Sequence, residues 1–225
     1  MLHYGRVRLA PHAPPVRVDP GRYETALVCL GGSGVIRAGT ERFHVSPYDL
    51  VYVPREVHFM VAGGVAGIDV AEVSAPVDER YPLQHVPYQT DRPIDTSAHR
   101  LRLATSSSAR VLLGDAGSTG RLIVGLAAGE PLAPPAVARL ASADADVACL
   151  YVRLPEGTSS VHIECDGANA MTGDPIVRAG DVVLGPHRWR AGDLTPDAAL
   201  GMLWMLGTVQ ESADRRAASA AGAAK

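Results

Sequence analysis

Two stretches decide how this chain is read: Val45-Ser-Pro-Tyr-Asp-Leu-Val-Tyr-Val-Pro54 and Arg178-Ala-Gly-Asp-Val-Val-Leu-Gly-Pro186. Each places an acidic residue in a turn, follows it with a short apolar run, and stops at proline. Proline donates no backbone hydrogen bond, so it ends a strand and does not continue one. Working outward from the first, Thr25-Ala-Leu-Val-Cys-Leu30 is a continuous apolar run, long enough for a strand buried on both faces. Gly31-Gly32-Ser33-Gly34 reads as the turn that ends it. Short strands are expected at Val35–Gly39, Glu41–Val45, Leu50–Val53, His58–Ala62 and Ile68–Ser74. Outward from the second, Ala148–Val152 and Val161–Glu164 read as strands, and Gly180–Trp189 as a closing hairpin. The pattern repeats loosely between the halves, as expected of a duplicated barrel.

Length and composition fit this reading. The 225 residues can bury one large core or two small ones, and Val, Gly and Pro outweigh helix formers other than Ala. Short strands separated by Gly, Pro and Asp turns predict an all-β fold of antiparallel barrels or sandwiches. Residues 1–22, rich in Pro and Arg, read as an extended arm along a barrel edge. Residues 77–96 read as a polar, Pro-rich linker, and the Ala-rich end from Ala217 as a frayed tail or short helix.

A net charge of -3 with scattered arginines speaks against nucleic acid or an anionic membrane as partner. No apolar run is long enough to span a bilayer, and no charged start followed by an apolar stretch opens the chain. A cytoplasmic location is expected. Cys29, Cys149 and Cys165 have no CxxC spacing, and their odd number suggests reduced thiols. Gly31–Gly34 lacks the Gly-Lys-Ser/Thr ending and the helix of a phosphate loop. Ser106-Ser107-Ser108 reads as a polar turn, not a nucleophile elbow.

The order of several pieces resembles the cupin-type sugar-acid isomerases, the family of 5-deoxy-glucuronate isomerase and 5-keto-4-deoxyuronate isomerase. The pieces are Leu30-Gly-Gly-Ser-Gly-Val35, Asp49–Pro54, Ser74-Ala-Pro76 with Tyr81-Pro82, His99-Arg100, Gly125-Leu126 and Leu203-Trp-Met-Leu-Gly207. The resemblance implies a bicupin, two jelly-roll β-barrels in tandem. Its expected parts are an N-terminal barrel over 1–92, a C-terminal barrel over 93–212 and a tail over 213–225. It also implies a homo-oligomer, a dimer or larger, acting on a small-molecule substrate.

The family holds a metal on three His and one Glu, and here the matching positions depart from it. The first-ligand stretch is Pro134-Pro-Ala-Val-Ala138, and other registers offer Leu140, Ser142 and Val147, or Ala141 and Ala143. The last position is Ala191. Alanine, valine and leucine offer no donor atom, and among the eight His no two lie within four residues of each other. No metal and no cofactor is therefore expected, unless His162, Glu164 and His187 meet from facing strands.

If Val147 points into the second barrel, Cys149, Tyr151 and Arg153 share its face. If Ala191 does, Trp189 and His187 follow. The candidate catalytic residues are His162, Glu164 and His187, as general acid–base groups. Tyr151, Arg153, Trp189 and Cys149 are the candidate substrate contacts. Each also has a plainer reading: His162 with Glu164 as a surface pair, His187 as a turn residue, Tyr151 and Trp189 as packing, Cys149 as a buried apolar group. In the first barrel, Tyr52, Arg55, Glu56 and His58 read mainly as a solvated loop end. The expected function is a metal-independent isomerisation or cyclisation of a small metabolite. The Ala- and Arg-rich composition points towards specialised metabolism. The alternative is a non-catalytic relative that binds a small molecule or serves a structural role.

Overall fold

A computed structural model describes residues 3–88 together with the segments 109–113, 121–127, 137–139, 145–153, 160–165, 176–178, 182–185, 188–192 and 201–208. The described residues form strands and no helix. The first seven strands are β1 (His3–Leu9), β2 (Val16–Val18), β3 (Tyr23–Ala38), β4 (Glu41–Val45), β5 (Leu50–Val53), β6 (Phe59–Pro76) and β7 (Gln84–Val86). The next five are β8 (Ala109–Leu113), β9 (Leu122–Ala127), β10 (Val137–Arg139), β11 (Ala145–Arg153) and β12 (Ser160–Cys165). The last four are β13 (Ile176–Arg178), β14 (Val182–Gly185), β15 (Arg188–Gly192) and β16 (Gly201–Thr208). Contacts divide the chain into two compact units. One comprises Met1–Arg92, Leu112–Ile123 and Thr208–Lys225; the other comprises Pro93–Val111 and Val124–Gly207.

In the first unit a seven-stranded sheet runs β1-β6-β3-β5-β7, with β2 added to β6 and β4 to β3. Two long strands organise it. β3 pairs antiparallel with β4, β5 and β6, and β6 also receives β1 and β2. The Pro- and Arg-rich start is thus not merely an arm beside the sheet. Two of its segments are strands that hydrogen-bond to β6. Likewise β7, within the expected linker, pairs with β5.

The largest departure from the sequence reading concerns Gly31–Gly34. These residues do not end a strand; β3 runs through them for 16 residues. The same holds for β6, an 18-residue strand where two short ones were expected. Irregular register falls between Cys29 and Gly31 and again between Gly32 and Gly34. Bulges of this kind bend a strand and increase its twist, so a long ribbon can curl over its own core. Only glycine fits where it does so: Gly32 has φ +71°, and a Cβ there would run into the carbonyl oxygen of Gly67.

Burial follows the strand pattern. Glu24 to Cys29 are all buried, as the continuous apolar run predicted, whereas Val35–Ala38 alternates between the core and solvent. The core side carries Leu27, Cys29, Ile36, Val51, Phe59, Val61 and Val70, flanked by Val7, Leu9 and Phe43. Pro54 ends β5 as expected. The turn before β5 shows why its acidic residue is needed. Asp49 Oδ2 accepts the Ser46 N–H at 2.8 Å, and Asp49 Oδ1 accepts the Tyr88 N–H at 2.7 Å. One carboxylate therefore closes the turn and fastens the chain beyond β7.

The remaining strands form a four-stranded sheet, β10-β15-β12-β13, and a five-stranded sheet, β14-β11-β16-β9-β8. Among the described residues no helix is long and apolar enough to cross a membrane.

The tightness at the bend is testable. Gly32→Ala imposes both a positive φ and a backbone clash, so it should cost more than ~2 kcal/mol, read as a lower urea midpoint at unchanged slope. Gly31→Ala, whose Cβ would meet nothing within 4 Å, should cost less.

Candidate functional site

The candidate residues of the second unit fall on two sheets. His162 and Glu164 lie on β12, which has β15 on one side and β13 on the other. His162 stands in register between Gly192 and Ile176, and Glu164 is the register partner of Arg190. Trp189 takes the alternate register, opposite Cys165 on β12 and Ala138 on β10. Cys149 and Tyr151 lie on β11 of the five-stranded sheet, opposite Leu184 and Val182, and Arg153 ends that strand. His187 lies outside the described residues. The fold therefore brings His162, Glu164 and Trp189 into one sheet and places Cys149, Tyr151 and Arg153 in another.

Arg190 was not singled out from the sequence. Only the β12–β15 register, set by tertiary pairing, reveals it as Glu164's neighbour.

The stretch that the family resemblance assigns to metal ligands is seen in part as β10, where Val137 partners Arg190 and Ala138 partners Trp189. Its side chains carry no donor atom, and Ala191, at the last ligand position, partners Ile163. These residues do not fit a metal centre. Among the described residues, no three His, Cys, Asp or Glu side chains converge on a common point.

The first unit holds polar groups that the sequence reading passed over. Glu24 is fully buried at the start of β3. Its Oε2 accepts the Tyr52 hydroxyl at 2.6 Å, and its Oε1 accepts the backbone N–H groups of Arg121 and of Leu122, the latter at 3.0 Å. Burial first, and then the adjacent Glu24 carboxylate, drive the Tyr52 phenol far above its ordinary value. It therefore stays a donor at any working pH. An acidic residue heading an apolar run was the one available signal for Glu24, and the run itself masked it.

Further along, Thr25 and Ser74 share a hydroxyl–hydroxyl contact of 2.9 Å, and the Ser74 hydroxyl donates to Glu72 Oε1 at 3.3 Å. Burial pushes the Glu72 carboxyl above its ordinary value, only partly offset by that hydroxyl. The Cys29 thiol, pushed up to about 11 mainly by burial, is a packed apolar group and not a nucleophile. Arg55, expected to solvate a loop, instead donates to the carbonyls of Val77 and Asp78 at 2.9 and 2.7 Å. It braces the exit of β6. Tyr52 too is structural, and His58 faces Asp19 at 3.5 Å on the surface.

No family model matches the sequence, and no curated protein matches it. Solved structures do match. An IolB-like protein from Salmonella typhimurium superposes with a TM-score of 0.68 at 15% identity, over 92% of this chain and 83% of that one. AerE from Microcystis aeruginosa gives 0.60 at 8% identity, over 92% and 87%. An oxalate decarboxylase gives 0.55 at 11%, over 94% and 70%. The fold is that of the cupin-type barrel proteins. At these identities the likeness is one of fold.

Two outcomes follow. Tyr52→Phe leaves a buried carboxylate oxygen without its hydroxyl donor and should cost about 1–3 kcal/mol, measured by urea denaturation. Glu72 keeps its proton to a higher pH in the native state than when unfolded. It therefore contributes stability below the ordinary carboxyl pKa of 4.5, and loses that contribution as pH rises through the native value. Glu72→Gln should flatten the decline in stability that begins as pH rises above 4.5, as seen in denaturation curves at several pH values.

Proposed function

We infer that the protein is an enzyme on two tandem cupin barrels, isomerising or cyclising a small metabolite without a metal. His162 and His187 exchange protons with the substrate, and Glu164 orients or assists them. Tyr151, Arg153 and Cys149, which share one side of β11, shape the cavity of the C-terminal barrel, whereas Trp189, of opposite parity to Arg190 on β15, belongs to the other side of the sheet that carries His162 and Glu164. The reading also takes in a homo-oligomer in the cytoplasm and a role in specialised metabolism.

The observation that carries it is the placement of His162 and Glu164 two residues apart on β12, a strand paired on both sides, with Arg190 in register beside Glu164. Interior strands of a barrel offer alternate residues to one side, so an imidazole and a carboxylate at i and i+2 belong to the same side. A cationic register partner suits a carboxylate that must remain ionised while a neighbouring imidazole takes and returns a proton. Isomerisation and cyclisation need no net oxidation. A proton removed at one carbon and returned at another, in a shaped and water-poor cavity, is sufficient chemistry. The cupin-type fold supports a small-molecule site in general. The donor-free side chains at Val137, Ala138 and Ala191 favour the metal-independent version of it.

The test is turnover of a panel of uronic and keto acids in D2O, followed by NMR for product and for deuterium uptake. Activity should persist after EDTA treatment, with less than stoichiometric metal in the protein. His162→Gln and Glu164→Gln should each lower kcat by roughly 10²–10⁴-fold. Restoration of activity by a divalent metal, or full activity in both variants, would overturn the assignment.

A further inference from the structure

We propose that the outer face of the first unit binds a small organic polyanion, one carrying two or more carboxylate or phosphate groups, in a groove walled by Arg17, Arg37 and Arg42. This inference is independent of the reaction assigned to β12.

The groove follows from strand register. Arg42 on β4 stands opposite Arg37 on β3; Arg37 stands opposite Met60 on β6; and Met60 stands opposite Arg17 on β2. Four neighbouring strands thus present the row Arg42–Arg37–Met60–Arg17, which spans about 14 Å at the usual strand spacing. The next row on the same face is His44–Val35–Ala62. The alternate residues, Ile36, Phe43, Phe59 and Val61, point the other way into the core. That parity fixes the three guanidinium groups and the His44 imidazole on the solvent side, where all four side chains are exposed.

Placing two arginines directly opposite each other on a sheet is unfavourable, because like charges repel across the pair. A carboxylate nearby would relieve it. Among the described residues none pairs with Arg17, Arg37 or Arg42; the described ion pairs engage Arg6, Arg8, Arg55 and His58. Asp19, which lines the smaller cavity on this face, is turned to His58 at 3.5 Å and accepts the Gly21 N–H at 3.0 Å. The chain has 24 acidic residues against 21 Lys and Arg, so acidic partners are not scarce. Among the described residues, then, nothing neutralises this repulsion, and a bound anion would.

The surface is also shaped to receive it. A cavity of about 750 Å³ is walled by these arginines and His44, with Gly34 and Gly63 among its lining residues. A second cavity of about 480 Å³ shares Arg17, Arg37 and Met60 and extends towards His58. The first volume lies within the usual ~300–1,000 Å³ of small-ligand sites. Glycines in the lining let a ligand approach the backbone, while flexible arginine side chains close from both sides. Each guanidinium offers a planar pair of N–H donors that matches a carboxylate or phosphate edge.

The test is calorimetric titration of the full chain with citrate and, separately, pyrophosphate, at ionic strength held constant with NaCl. One saturable site is expected for at least one of the two anions. Arg37→Gln and Arg42→Gln should each weaken it by at least about tenfold. Arg80→Gln, an exposed arginine outside the groove, should bind as the parent does. In anion-free buffer Arg37→Gln should melt no lower than the parent, because it removes the repulsion, so a loss of binding cannot be ascribed to misfolding. Three outcomes would overturn the proposal. One is absence of a saturable site for both anions. Another is equal weakening by Arg80→Gln, the mark of bulk charge. The third is a change of oligomeric state in the Arg variants without any anion binding, which would make this face a contact between copies.

Discussion

Everything in the first unit is arranged around a carboxylate with no access to water. Glu24 sits on β3 with zero exposure, just ahead of the buried apolar residues Ala26, Leu27, Val28 and Cys29. Burying such a group costs several kcal/mol unless its lone pairs are filled. They are filled by the Tyr52 hydroxyl from β5 and by two successive backbone N–H groups at Arg121 and Leu122. The first of these ties β3 to its neighbour in the sheet. The other two reach 97 and 98 residues along the chain and fasten the start of β9 to the beginning of β3. Hydrophobic contacts could hold the same elements together at many offsets. A carboxylate with two N–H donors fixes one offset.

β3 can serve as that anchor because it is uninterrupted. Its first half is buried on both faces and pairs with β5 and β6, and its second half pairs with β4 and β6 while exposing one face. The glycines between the halves absorb the change of direction. A strand that broke there would give two short elements that must each find their register. A strand that bends carries the register of one half into the other. Asp49 and Arg55 do related work at the ends of β5, the one closing the turn before it and the other bracing the exit of β6 after it. Residues of this kind are charged because the backbone groups they satisfy have no strand partner.

The candidate chemistry of the second unit is drawn differently. The register of β12 and β15 puts an acid, a base and a cation on adjacent strands, while the positions that the sequence resemblance gives to metal ligands hold hydrocarbon. One residue in two along a strand points away from the packed layer, so side chains there can differ between proteins of one fold without altering the strand.

The sequence by itself determined that the chain is built of strands, where several of them run, and which residues end them. Alternation, turn chemistry and proline are local, and Thr25–Leu30, Asp49 and Pro54 declare themselves without help from the rest of the molecule. It also named His162 and Glu164 as neighbours on one strand, because a spacing of two is enough. It misread Gly31–Gly34 as a stop, since a glycine run that turns a hairpin and one that bends a long strand look alike until the partner strand is known. Only the tertiary structure decided that Glu24 meets Leu122, that Arg190 stands beside Glu164, and that Arg17, Arg37 and Arg42 share one face. Each of those depends on which strands lie side by side, and pairing between distant segments is set by the packing of the whole sheet.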